Sequence, residues 1–225
     1  MTHRCNVTSR RVRFSRRESG PATRPLINTT VVRTKMNSLT IEELHDLRNA
    51  IFDNAESFYK EAKCLHANGF FARSFLAAYF TVEELGKLPM VVGAIAKLVK
   101  GEVVDWDKLR RRLTSHMGKI ESEITHHYVF GIDPCPFNTD VEWYEAKLKE
   151  VKAIYQMKNE ATYVDVVNGQ VLNPLVRITK EHSERAISEA FDALKAHWTS
   201  ESLSNPKLIS EKVAGSNGGL REPQL

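Results

Sequence analysis

Apolar residues recur at three- and four-residue steps from Leu44 to Leu65, through Leu47, Ile51, Ala55, Phe58 and Ala62. That spacing lines one face of an α-helix and cannot line one face of a strand. Thr40-Ile41-Glu42-Glu43 supplies a capping box before it, with Leu39 and Leu44 as a hydrophobic staple, and Asn68-Gly69 supplies the stop. The segment that follows, about 70–100, is apolar nearly all round as far as Leu88, which predicts a helix at the centre of a bundle. Pro89 lacks an N–H and leaves the Leu85 carbonyl without its helical partner, so a kink or break is expected there.

The helical pattern continues. A third helix over about 105–128 turns Leu109, Leu113, Ile120 and Ile124 inward, and residues 131–138, with Pro134 and Pro136, read as a loop. A fourth helix starts near Thr139, where Thr139-Asp140-Val141-Glu142 repeats the capping pattern. Residues 161–172 alternate, carry β-branched side chains and hold Asn168-Gly169, the signature of a tight hairpin. A last helix covers about 179–198. The expected fold is all-α: a bundle of about five helices with a small β-hairpin before the last one.

Residues 1–36 and 200–225 have no apolar periodicity and are expected to be tails around a single helical domain at 37–199. Charge separates along the same lines. The chain of 225 residues has a net charge of +4, yet residues 1–35 hold eight arginines and one lysine against the single acid Glu18. The rest carries more acidic than basic side chains, 27 against 23. The basic character belongs to the extension, so general DNA binding by the folded part is not expected. The extension's Arg- and Ser-rich start resembles an organellar transit peptide; a flexible extension, or translation that truly begins at Met36, are the alternatives. Cys5, Cys64 and Cys135 are far apart and odd in number, which fits a reducing cytoplasm and offers no disulfide framework or zinc site. No apolar run reaches the roughly 18–20 residues of a membrane span.

Two groups of polar residues fall where a plain core would be apolar. In Val82-Glu83-Glu84-Leu85-Gly86-Lys87, the 100° step of a helix puts Arg73, Ala77, Phe80, Glu84 and Lys87 in one column, with Glu84 and Lys87 placed to pair. A salt bridge fixing helix register and a pocket wall for a polar ligand are both open readings. On the third helix, Arg112, His116, Lys119 and Glu123 follow one another at steps of four, three and four. Histidine as a residue type exchanges protons near neutrality, and Arg112 and Lys119 could stabilise phosphate charge. The set suits RNA cleavage without a metal; a half-buried histidine capped by Glu123 among snorkelling cations is the structural alternative. Glu123 and His126 have the Glu-x-x-His spacing of a di-iron bundle, but that site needs the motif twice and two further Glu. The other candidate helix offers Glu84 and Lys87 instead, so no metal site is expected, and His126-His127 reads as a boundary pair. Walker A, GxGxxG, GxSxG and HExxH motifs are absent, and no cofactor is expected.

Asn54-Ala55, Glu61-Ala62, Leu65, Ala72 and the run Glu83-Glu84-Leu85-Gly86-Lys87 are similar to the opening helices of the AbiV-type abortive-infection proteins. His116-Met117-Gly118-Lys119 resembles that family's His-x-x-Lys, and Tyr163-Val164-Asp165, Pro174 and Ile178-Thr179 resemble its hairpin and final helix. The resemblance covers about residues 40–197. It implies a HEPN-like bundle that forms a homodimer, cleaves RNA, and halts translation or growth of an infected cell in response to a phage-encoded activator. It would place His116, Lys119 and Arg112 at a catalytic centre and Glu84, Lys87, Tyr163 and Asp165 at a binding cleft. The usual HEPN spacing of an Arg, a polar residue, a few others and a His is met by Arg110 and Arg111, although the residue after each is another Arg. A non-catalytic module that binds a phage or ribosomal protein is the alternative function.

Overall fold

The computed structural model describes residues 38–130, 141–207 and 209. Within them the chain forms α1 (Ile41–Ala67), α2 (Phe71–Leu85), α3 (Leu88–Val99), α4 (Trp106–Thr114), α5 (His116–Phe130), α6 (Val141–Thr162), the hairpin strands β1 (Asp165–Val167) and β2 (Gln170–Leu172), α7 (Pro174–Arg177) and α8 (Lys180–Ser204). The fold is all-α, as expected, with one two-stranded antiparallel sheet.

Local chemistry sets the boundaries. Thr40 Oγ1 accepts from the Glu43 N–H at 3.2 Å while the Glu43 carboxylate accepts from the Thr40 N–H at 2.8 Å, closing the expected capping box. Gly69, at φ +78°, ends the turn after α1. Asn168 and Gly169 both take positive φ, 52° and 78°, the combination a two-residue type I′ hairpin requires. The capping box expected at Thr139 and the loop at 131–138 lie outside the described residues, as do the first 37 residues.

Two expected helices are divided in the structure. The segment 70–100 breaks at Gly86-Lys87, just before Pro89 rather than at it. Proline becomes an early residue of α3, where its missing N–H costs nothing. The segment 105–128 breaks at Ser115, whose ψ of 117° is extended. The Ser115 hydroxyl then accepts from the Gly118 N–H at 3.2 Å and so caps α5. The last helix runs to Ser204 rather than to about 198. Glu201 within it and Asn205 at its end are buried and bonded to Arg48 and Asn49 of α1, so the expected C-terminal tail does not begin at 200.

Helix α2 occupies the centre. Ten of its residues are buried, and it packs against α1, α8, α5 and α6. Small residues let the neighbours approach. Ser74 Oγ donates to the Ala62 carbonyl of α1 at 2.8 Å and receives the Ser183 hydroxyl of α8 at 2.7 Å. Leu44, Phe52, Ala55 and Ala62 of α1 meet Ala78 and Leu85 of α2 and Ala190 and Leu194 of α8 in one continuous core. Among the described residues no helix is long and apolar enough to cross a membrane.

Candidate functional site

The site grows from the C-terminal turn of α2. Because α2 is apolar nearly all round in sequence, helical periodicity alone does not say which of its polar residues faces which neighbour. The structure turns Glu83 inward, 3% exposed, and leaves Glu84 at the margin. What places Glu83 is Gly86. A Cβ at that position would stand 2.1 Å from the Lys119 carbonyl oxygen, so only glycine lets the end of α2 lie directly on the first turn of α5. The residues of that turn then close on the carboxylate. His116 Nδ1 lies 2.7 Å from Glu83 Oε1 and 3.0 Å from Oε2, and Lys119 Nζ donates to Oε2 at 2.7 Å.

Burial alone would raise the Glu83 carboxyl, but the hydrogen bonds from Lys119 and His116 outweigh it and hold the group below its ordinary value. Glu83 is therefore an ionised carboxylate within the protein at neutral pH. Tyr79, one turn earlier, has a buried hydroxyl without a well-formed hydrogen bond. Burial and the adjacent Glu83 charge push its ionisation up, so it stays a neutral phenol. Lys119 is almost fully buried, whereas the His116 side chain is 44% exposed. Its ring stands 5.8 Å from that of Tyr155 on α6. With Nδ1 held by Glu83, His116 Nε2 is the nitrogen left to the outside, and no described residue bonds it. A carboxylate behind one nitrogen of an imidazole fixes the tautomer and stabilises the imidazolium when the other nitrogen takes a proton.

Glu84 and Lys87 pair as expected, at the half-buried edge of the same turn. Arg73 does not join them. It is exposed, and eleven residues of helix separate it from Glu84, a rise of roughly 16 Å that shared direction on a wheel cannot bridge. Arg112 is also not on one straight helix with His116, because Ser115 separates α4 from α5. It lies exposed beside a concavity of about 610 Å³, together with Lys108, Arg111, Ser115 and Gly118. Tyr163 and Asp165 are exposed next to and within the hairpin, and no described hydrogen bond or ion pair joins them to Glu83, His116 or Lys119.

Glu123 caps a histidine, but not His116. Its Oε2 lies 2.5 Å from Nε2 of His197 on α8, and His126 stacks on His197 with ring centroids 3.6 Å apart. His126 is thus a buried residue rather than a boundary one, and burial pushes its imidazole down to about 4. Among the described residues, Glu123, His126 and His197 are the group able to hold a metal ion. The sequence reading missed Glu83 and His197. Tyr79, Glu83 and Gly86 at steps of four and three were a usable signal for the first. The second stands 74 residues from its partner Glu123 on α5 and left none.

Residues 43–195 match the model of the family described as HEPN_AbiV, AbiV. No curated protein and no solved structure gives a significant match. The matched stretch covers more than half of the chain and contains α2, the break at Gly86 and the Glu83–His116–Lys119 cluster, so the chain belongs to the AbiV family of HEPN-type proteins.

Proposed function

We propose that this chain is an abortive-infection effector whose Glu83–His116 pair transfers protons in the cleavage of RNA. One observation carries the reading: a buried carboxylate grips Nδ1 of a histidine whose other edge faces solvent. In the proposed step, His116 Nε2 takes the proton of a ribose 2′-hydroxyl, and that oxygen attacks the adjacent phosphorus. The bond from phosphorus to the 5′-oxygen breaks, and the imidazolium returns the proton to that oxygen. The products are a 2′,3′-cyclic phosphate and a 5′-hydroxyl, and no metal is consumed in the balance. Glu83 stabilises the imidazolium, and Lys119 keeps Glu83 ionised. Because Lys119 is already bound to Glu83, the charge on phosphate falls to Arg112 and its exposed neighbours Lys108 and Arg111. The Glu84–Lys87 pair borders the same turn. RNA as substrate, a phage-encoded activator, a homodimer and a cytoplasmic location belong to this reading.

The alternative is a module that binds a phage or ribosomal protein and uses Glu83–Lys119 as a structural pair. The test is infection of cells carrying the parent protein or His116→Ala at equal abundance, across a panel of phages. The proposal expects growth arrest and loss of phage yield with the parent, and neither with the variant. Equal protection by both would remove His116 from the mechanism and favour the binding module.

A further inference from the structure

A second buried cluster lies between α5 and α8, apart from the Glu83 centre. Glu123, His126 and His197 are all nearly inaccessible, and one candidate ligand atom from each lies within 4.8 Å of the others. Its hydrogen bonds do not close. Glu123 Oε1 and His126 Nδ1 are buried without any partner. The proton on His126 can be placed from its neighbour. Ser200 Oγ lies 3.1 Å from the Ala196 carbonyl and 3.3 Å from His126 Nε2; with its hydroxyl given to the carbonyl, as in other serines that bond back along their helix, the same oxygen accepts from Nε2. Nε2 then carries the hydrogen, and Nδ1 carries an unused lone pair.

The cluster therefore presents two orphaned acceptors, one of them on a carboxylate, with no lysine or arginine bonded to either. Buried acceptors left in this way are costly, and they call for a cation. We infer that Glu123, His126 and His197 bind a zinc-class divalent metal ion that clamps α5 onto α8. Two imidazoles and one carboxylate are a recognised zinc set with one position left open, and the nitrogen ligands disfavour Mg²⁺ and Ca²⁺, which prefer all-oxygen shells. Ser200 supplies the outer hydrogen bond that orients a ligating histidine. A route exists too. Glu123 lines a cavity of about 640 Å³ between α2, α5, α6 and α8, with Tyr79, Ile120, Ile154 and Glu189 among its walls, so the cluster is reached from its carboxylate side. Ligand atoms around zinc stand roughly 3.4 Å apart in a tetrahedron and an imidazole ligates through a lone pair in its own plane, so binding requires the stacked His126 and His197 rings to turn until their nitrogens converge on the ion.

The test is titration of the chelator-stripped full chain with Co²⁺, whose visible absorption reports tetrahedral nitrogen and oxygen ligands, followed by displacement with Zn²⁺. The expected result is one equivalent bound with a rise in melting temperature, and no response to Mg²⁺. Glu123→Gln, His126→Gln and His197→Gln should each weaken Co²⁺ binding by about tenfold or more, while His127→Gln, adjacent but outside the cluster, should not. Should the histidine variants fail to fold, Glu123→Gln and Ser200→Ala decide, with the second expected to weaken binding several-fold. Absence of a Co²⁺ spectrum and of thermal stabilisation in the parent would overturn the proposal. So would binding that persists unchanged in Glu123→Gln.

Discussion

Glu83 and Glu201 are both buried carboxylates bonded to a long cationic side chain, and they do different things. Glu201 of α8 meets Arg48 of α1, with Oε1 receiving Nη2 at 2.8 Å and Nε at 3.2 Å. Its Oε2 receives the Asn205 side chain, and Arg48 makes further bonds to Ser204 and His45. That network ties α1 to the end of α8, and the histidine in it, His45, is nearly buried. The Glu83 network instead ends at His116, and therefore in water. Burial and ion pairing are common to both. What separates a candidate site from a lock is a titratable group with one edge bound and the other free.

Breaking the lock should have the largest effect on stability. Arg48→Ala leaves the Glu201 charge buried without its cation and should cost about 3–5 kcal/mol in denaturant unfolding. Replacing both partners with apolar residues, as in Arg48→Met/Glu201→Leu, should recover most of that loss. A double variant no more stable than Arg48→Ala would show that the pair contributes more than charge balance.

Gly86→Ala comes next. The new methyl group meets the Lys119 backbone, not a flexible side-chain end, so a cost of about 1–3 kcal/mol is expected. Activity should fall further than this stability loss explains, because α5 must move away from Glu83. Growth arrest measured at matched soluble abundance separates the two effects.

A pH dependence sharpens the comparison. Glu83 is held below its ordinary value of 4.5. Its contribution to stability is therefore complete above that value and is lost as pH falls through the lower pKa of the folded state. Chemical denaturation between pH 6 and pH 3 should show a weaker acid dependence in Glu83→Gln than in the parent. Parallel curves would mean that Glu83 is not held ionised by the fold. The smallest stability effect belongs to His116→Ala, at about 1 kcal/mol or less, since that side chain is largely in water. Thermal unfolding reads it, and a drop as large as that of Arg48→Ala would reassign His116 to the structural class.

Much of this was legible in the sequence, for reasons that differ by element. The cap at Thr40, the stripe of α1 and the Asn168-Gly169 turn are local, and the structure has them as read. The break at Ser115 left only a serine followed by Gly118, and a continuous helix explained the apolar spacing on both sides equally well. His116 and Lys119 stand out in the sequence by residue type and spacing. Glu83 was passed over for Glu84 because a helix that is apolar nearly all round in sequence shows little direction on a wheel; the close approach at Gly86 supplies it. Arg48–Glu201 and Glu123–His197 join residues 153 and 74 apart, and no local pattern encodes such pairs.

The central claim is that His116, poised by Glu83, moves protons during RNA cleavage. Sequencing of RNA ends tests it most directly, in infected cells that carry the parent, His116→Ala or Glu83→Gln at equal abundance. The account predicts defined new 2′,3′-cyclic phosphate ends with the parent and none with either variant. Intact RNA in parent cells that nevertheless arrest, or the same ends in His116→Ala cells, would contradict it.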